Sequence, residues 1–272
     1  MDYKKLWRRC ETLGRTVSIG KTVLNREIPL VCGGEDTLIV CATHAREHVT
    51  TEVLFRLLEK KGLACDFLPV HNVDGVLLSK YGVAAVEEEE RRKKLLKING
   101  NEDFSLWKAN CNAVDLNVNF NARWGKGKRN VFFPAPENYV GPYPASEPET
   151  RAVVRLLKQK NYAQVVSYHA KGEVVYWGFF DNFAHRELAE DFAASMGYEL
   201  TTAEGSCGGL KDYFDLIAPD GLGLTVELGE DRFAHPYPYA EIPRLCERLE
   251  NSIEVLYENG KRLAALRRVA HG

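Results

Sequence analysis

The sequence predicts an α/β fold built on a mixed, largely parallel sheet. Short apolar runs rich in β-branched residues alternate with segments of helical periodicity along most of the chain. The polar residues with the richest chemistry, among them His44, Asn72, His169 and Glu227, fall at the ends of those runs. That is where ligands bind in an open α/β sheet. No internal repeat and no clear linker interrupts the 272 residues, so residues 1–272 read as one domain.

Each element has its own signal. Residues 2–12 read as a short helix, and strands at 15–19 and Glu27–Cys32 flank a turn at Leu24-Asn25. Residues 37–42 form the first central strand, followed by a helix over 47–60. The apolar run 64–70 ends in a turn at 71–75. Residues 87–97 place four Glu before Arg91-Arg92-Lys93-Lys94, a solvated helix with i,i+4 pairs. Residues 113–117 read as a short strand. The segment 122–148 is rich in Gly, Pro, Asn and aromatics, lacks periodicity and is long for a loop, which marks a functional surface or lid. Ser146-Glu147-Pro148-Glu149 opens a helix that runs to about residue 160, with Pro in the first turn and acids complementing the dipole. Strands at 163–169 and 173–177, a helix over 182–196, a flexible turn at 205–209, a short helix at 210–216, a strand at 223–228 and a helix over 239–269 complete the chain.

Composition excludes several classes. A net charge of -2 gives no global reason to expect nucleic acid. No apolar run reaches the ~18 residues needed to span a bilayer. Basic residues near Met1 have no apolar core behind them, so no signal peptide is expected. Seven cysteines are scattered singly, without a CxxC pair, which points to reduced thiols in a cytoplasm.

The stretch Thr43-His44-Ala45-Arg46-Glu47-His48 lies between a strand and a helix. A His and a carboxylate three residues apart on a tight turn can both face one metal ion. A distant third ligand would complete an open His₂Glu zinc site. The string also fits H-x-x-E-H, with His44 and His48 as ligands and Glu47 as base. That arrangement needs His44 to Glu47 to be helical, and the strand just before His44 leaves no room for it, so His44 and Glu47 are the favoured ligands. His169 ends another apolar strand on the same predicted edge and is the third candidate. Glu227 stands in an otherwise apolar strand. Beside a zinc ion it would be the general base. Lys108 and Asn117 fall at strand ends or turns.

Six segments together resemble the zinc metallocarboxypeptidases related to carboxypeptidase A. They are His44-Ala45-Arg46-Glu47, Asn72-Val73-Asp74-Gly75, Val114 to Phe120, Ser146 to Thr150, Ser167-Tyr168-His169, and Gly223 to Leu228, in family order over nearly the whole chain. The resemblance implies a single three-layer α/β/α domain around a mixed sheet of about eight strands. It implies one zinc ion per chain on His44, Glu47 and His169, with Glu227 as base and later proton donor. Arg46 matches an arginine expected to help bind substrate, and Asn117 a substrate-binding asparagine.

The departures from the family pattern concern substrate. Val118 stands where an Arg usually clamps the substrate's terminal carboxylate. Lys108 replaces the Arg that stabilises the oxyanion, retaining charge without the planar fork. Glu204 aligns with the substrate-capping Tyr, and Lys211 holds a position that often faces the substrate side chain. The run Val118 to Gly125, with Tyr168 to Glu173, looks like bacterial γ-D-glutamyl-diamino acid peptidases, which cut peptidoglycan stem peptides. Lys108, Lys211, Arg46 and the basic loop 123–129 are the candidate receivers of the substrate's several carboxylates. A murein stem peptide is therefore the expected partner. The alternatives are a conventional C-terminal metallocarboxypeptidase and a non-catalytic zinc or peptide-binding relative. Glu227 separates the last from an enzyme, because a binding module needs no acid in that strand. Oligomeric state is not legible.

Overall fold

The computed structural model describes residues 2–271. The chain opens with helix α1 (Tyr3–Leu13) and a hairpin of β1 (Arg15–Lys21) and β2 (Glu27–Cys32). Strand β3 (Thr37–Cys41) leads into α2 (Val49–Lys61), followed by β4 (Asp66–Leu68), α3 (Val73–Tyr81) and α4 (Glu89–Asn99). After a long irregular stretch come α5 (Pro148–Gln159), β5 (Gln164–His169), β6 (Val174–Trp177) and α6 (Arg186–Met196). Then β7 (Glu199–Thr201), α7 (Leu210–Ile217), β8 (Leu222–Glu227) and the long α8 (Ile242–His271) complete the fold.

The eight strands form one mixed sheet in the order β1-β2-β4-β3-β5-β8-β6-β7. Its centre, β4-β3-β5-β8, is parallel, with β2 and β6 antiparallel at its borders. Strands β3 and β5 are buried at every position, as expected for strands covered on both faces. Alternate residues go to opposite layers. Ile39, Cys41, Val166 and Tyr168 pack with α1, α2, α6 and α8, while Leu38, Val40 and Val165 pack with α5 and α7. The fold is a three-layer α/β/α sandwich.

Three local expectations give way. Residues 113–117 are not a strand: the Asp115 carboxylate accepts the Asn117 and Asn138 amides, and a single 3₁₀ turn, Leu116–Val118, forms instead. A side chain that captures nearby amides offers the backbone an alternative to a ladder. The turn expected at 71–75 is the start of a helix, because Asn72 caps it by accepting the Gly75 amide at 3.0 Å. The helix expected from 182 begins at Arg186, since Asn182 is held in a bridge to Phe179. Strand β7 had no distinct signal in the sequence. Within 122–148 the chain stays irregular apart from a bridge between Val131 and Tyr139.

Candidate active site

The site lies at the C-terminal edge of β3, β5 and β8. Beyond Cys41 the chain turns at Ala42, whose φ is +49°, and the 3₁₀ turn Ala45–Glu47 follows directly. That turn is braced from outside by the Ala45 amide donating to the Lys108 carbonyl at 3.0 Å. It brings His44 Nδ1 to 2.9 Å from Glu47 Oε1. His169, the last residue of β5, places its Nδ1 3.0 Å from Glu47 Oε2 and 3.0 Å from His44 Nδ1. Two ring nitrogens and a carboxylate thus converge, with ligand atoms within 4.8 Å of one another, all three residues buried. The three side chains converge at hydrogen-bond distance, and the set is the His₂Glu donor set that suits zinc.

Outer contacts orient the rings. Asp115 Oδ1 lies 3.3 Å from His44 Nε2, and Ser167 Oγ lies 3.0 Å from His169 Nε2. His48 is turned elsewhere: its Nδ1 is 2.8 Å from the Tyr239 hydroxyl, and burial, with Lys80 nearby, pushes its pKa down to about 3. The segment before it is a 3₁₀ turn rather than an α-helix presenting His44 and His48 on one face.

The electrostatics are those of a cation site with a nearby proton acceptor. Burial alone would raise the Glu47 carboxyl, but His44 and His169 hold it well below the usual carboxylate range. Asp115 is likewise held low against its burial by Lys108 and His44, with Lys108 Nζ 3.4 Å from Asp115 Oδ2. Burial works to lower the Lys108 ammonium, and Asp115 and Glu47 more than offset it, so Lys108 stays charged. Glu227 is the register partner of His169 across β5 and β8. Burial raises its carboxyl to about 8, against the attraction of His169 and with Glu47 adding repulsion. A carboxyl poised near neutrality can both take up and return a proton.

A cleft of about 730 Å³ opens onto this edge. Of the residues singled out in the sequence, His44, Lys108, Asn117, Glu204, Lys211 and Glu227 line it. Their states differ. Asn117 Oδ1 accepts from the Leu210 amide at 3.4 Å. Lys211 is a correction to the expectation of a free cation. It is 3% exposed, and its ammonium is committed to the Gly178 carbonyl at 2.7 Å and to Asp212 and Asp215 at 3.1 Å. Arg46 is held by the Leu106 carbonyl at 3.2 Å and Glu137 at 3.5 Å. Val118 is packed against the backbone of Gly208: a Cβ there would meet the Val118 carbonyl oxygen at 2.8 Å.

Several residues of the site had no reading of their own in the sequence. Asp115 sat inside an apparent strand. Tyr176 also lines the cleft, in β6 opposite Thr225, and a tyrosine in a strand is unremarkable by itself. His235 has a buried Nδ1 without a hydrogen-bond partner and feels the charges of Glu47 and Arg46, while burial pushes it down to about 4. Nothing in its local sequence signals that position.

Comparison with known proteins adds the following. The model of a family described as zinc carboxypeptidase matches residues 63–248. The chain is 34% identical over 276 residues to gamma-D-glutamyl-L-diamino acid endopeptidase 1 of Lysinibacillus sphaericus, covering 90% of this chain and 67% of that protein. Among solved structures it is similar to bovine thrombin-activatable fibrinolysis inhibitor in complex with tick carboxypeptidase inhibitor, with a TM-score of 0.75, 18% identity, and 96% and 97% of the two chains covered. It is also similar to a murein-tripeptide amidase of Escherichia coli O157, with a TM-score of 0.60, 22% identity, and 89% and 91% covered. At these identities the two structural likenesses are likenesses of fold.

Proposed function

The chain belongs to the zinc carboxypeptidase family, and we propose that within it this enzyme cuts the γ-D-glutamyl amide bond to a diamino acid in peptidoglycan stem peptides. It is a metallopeptidase, and its cofactor is zinc. The observation that carries the proposal is the convergence of His44, Glu47 and His169 beside Glu227 in a cleft whose usual carboxylate clamp is Val118. The Lysinibacillus relative, named for the γ-D-glutamyl-diamino acid bond, supports the substrate class. Residues 1–272 act as one peptidase domain in this reading. A cytoplasmic site of action belongs to the proposal and is supported by seven cysteines that are all free.

In the proposed mechanism His44, Glu47 and His169 would hold the zinc, which would supply Lewis acidity toward the scissile carbonyl and the attacking water. Glu227 takes the proton from the attacking water on a carboxylate oxygen and then delivers it to the leaving nitrogen. The C–N bond breaks, leaving a new carboxylate and a free amine. Lys108 presents its ammonium to the cleft and steadies negative charge developing on the carbonyl oxygen. Asp115 and Ser167 keep the imidazoles oriented.

The test offers the zinc-loaded enzyme L-Ala-γ-D-Glu-meso-diaminopimelate and a set of ordinary C-terminal peptides side by side, with and without chelator. Chelator-sensitive release of the diamino acid is the expected result. Efficient cleavage of the ordinary peptides with the murein peptide untouched would overturn the substrate class and indicate a conventional carboxypeptidase.

A further inference from the structure

Most charges lining the cleft are already committed. Lys108 is tied to Asp115, Lys211 to Asp212, Asp215 and the Gly178 carbonyl, and Asp115 and Asp212 are the other halves of those pairs. Glu227 belongs to the reaction. Glu227 apart, the charged side chains that line the cleft and make no hydrogen bond or ion pair among the described residues are two cations, Lys128 and Arg129, and one acid, Glu204. The basic loop therefore divides. Arg123 stacks on the Phe180 ring at 4.4 Å and, with Lys126, lines a neighbouring cavity of about 380 Å³. Lys128 and Arg129 line the reactive cleft instead.

The three uncommitted charges sit on two segments that are fastened together. The Lys128 amide donates to the Gly205 carbonyl at 2.8 Å. The Lys128 stem lies on Gly205 so closely that a Cβ there would meet its Cδ at 2.6 Å. Gly205 has φ +78° and is the residue after Glu204, so glycine permits both the turn and the contact. Tyr176, which also lines the cleft, feels the charges of both Glu227 and Arg129. Two cations and a carboxylate, without partners and adjacent, complement a ligand group bearing both an anion and a cation.

We infer that Lys128, Arg129 and Glu204 bind the far end of the diamino acid, the cations taking its carboxylate and Glu204 its ammonium. The inference rests on the proposed function and sharpens it: this enzyme distinguishes diaminopimelate, which carries both groups at that end, from lysine, which carries only the ammonium. Arg129 supplies a planar fork for the carboxylate, the geometry that Val118 cannot provide.

The test compares stem tripeptides ending in meso-diaminopimelate or in L-lysine, with wild type, Arg129→Gln, Arg129→Lys and Glu204→Gln. Wild type should prefer the diaminopimelate peptide by roughly 10- to 100-fold in kcat/KM, mostly through KM, as expected for charge-assisted hydrogen bonds to one carboxylate. Arg129→Gln should erase most of that preference, costing the diaminopimelate peptide far more than the lysine peptide, and Arg129→Lys should restore part of it. Glu204→Gln should weaken both peptides. Binding to the zinc-loaded Glu227→Gln variant, measured by calorimetry, should repeat the pattern without turnover. Equal use of the two peptides by wild type, or an equal loss on both in Arg129→Gln, overturns the inference while leaving the proposed function intact. A third peptide, amidated at the D-glutamate α-carboxylate, guards the assignment: if the Arg129→Gln effect disappears there instead, the loop reads glutamate and the inference is wrong. If no murein peptide is cut, the proposed function has failed. The same comparison on α-linked peptides carrying diaminopimelate or lysine after the cut bond then decides the loop's role separately.

Discussion

In the proposed mechanism Glu227 is the side chain on which turnover depends most directly. In Glu227→Gln the amide is nearly isosteric but cannot accept the water's proton, and loss of a general base typically costs ~10²–10⁴-fold in rate. Zinc content and fold should be unchanged, and kinetics equal to wild type would move the base elsewhere. The metal residues behave differently: Glu47→Ala or His169→Ala should lose zinc as well as activity, whereas His48→Ala should keep its zinc, because the His48 ring pairs with Tyr239. Elemental analysis separates the cases, and zinc lost from His48→Ala but retained by Glu47→Ala would restore the H-x-x-E-H arrangement. Much of this was legible in the sequence, since His44, His169 and Glu227 each sit where an apolar run stops. Asp115 was not, because its role lies in a carboxylate that faces two partners from distant segments. Lys211 shows the opposite failure: Asp212 and Asp215 stand beside it in the sequence, Asp215 four residues along the same helix, but the burial that commits the ammonium to them appears only in the fold.

At the level of elements, the β1–β2 hairpin is anchored to α3 through one buried acid. Asp74 accepts the Leu24 amide at 2.7 Å and pairs with Arg26 at 2.7 Å. Asp74→Ala leaves a half-buried guanidinium and an amide without their acceptor, a cost of about 2–3 kcal/mol. Urea denaturation should show that loss with an unchanged m-value, and a change under about 0.5 kcal/mol, the level of an ordinary surface substitution, would show the hairpin to be anchored otherwise. The sequence concealed this arrangement because Asn72-Val73-Asp74-Gly75 has the composition of a turn. Only in the fold does Asn72 become a cap and Asp74 a hub for another element. The segment 122–148 was legible as a long irregular loop, but its division between two cavities depends on which stretch docks on Gly205.

For the whole molecule, buried titratable groups set opposite slopes of stability against pH. Burial pushes His48 down to about 3 and His71 to about 4. From about pH 6.5 downward the unfolded chain takes up protons that the folded chain refuses, so their contribution is present above 6.5 and is lost as pH falls toward those values. Burial raises Glu149 to about 8, so its contribution is present below 4.5 and is lost as pH rises through about 8. Relative to wild type, Glu149→Gln should gain stability between about pH 5 and 8, at up to ~1.4 kcal/mol per pH unit, the limit for one proton. Chemical denaturation of both proteins across that range measures it, and a constant difference would mean that Glu149 ionises normally in the fold. The α/β sandwich itself was legible because the periods of strand and helix are written in single side chains, whereas these slopes arise from depth. One further consequence follows from His169 and Glu227 being register partners on adjacent strands. The spacing between the proposed metal ligand and the proposed base is inherited from the hydrogen-bonded lattice of the sheet, and a slip of one residue would turn Glu227 toward the opposite layer. The loop over 122–148 contributes nothing to that spacing. Recognition is therefore exchangeable: a chimera carrying another relative's loop should keep zinc and hydrolyse a minimal substrate while changing its preference, so that new specificities arise by swapping a rim around fixed chemistry.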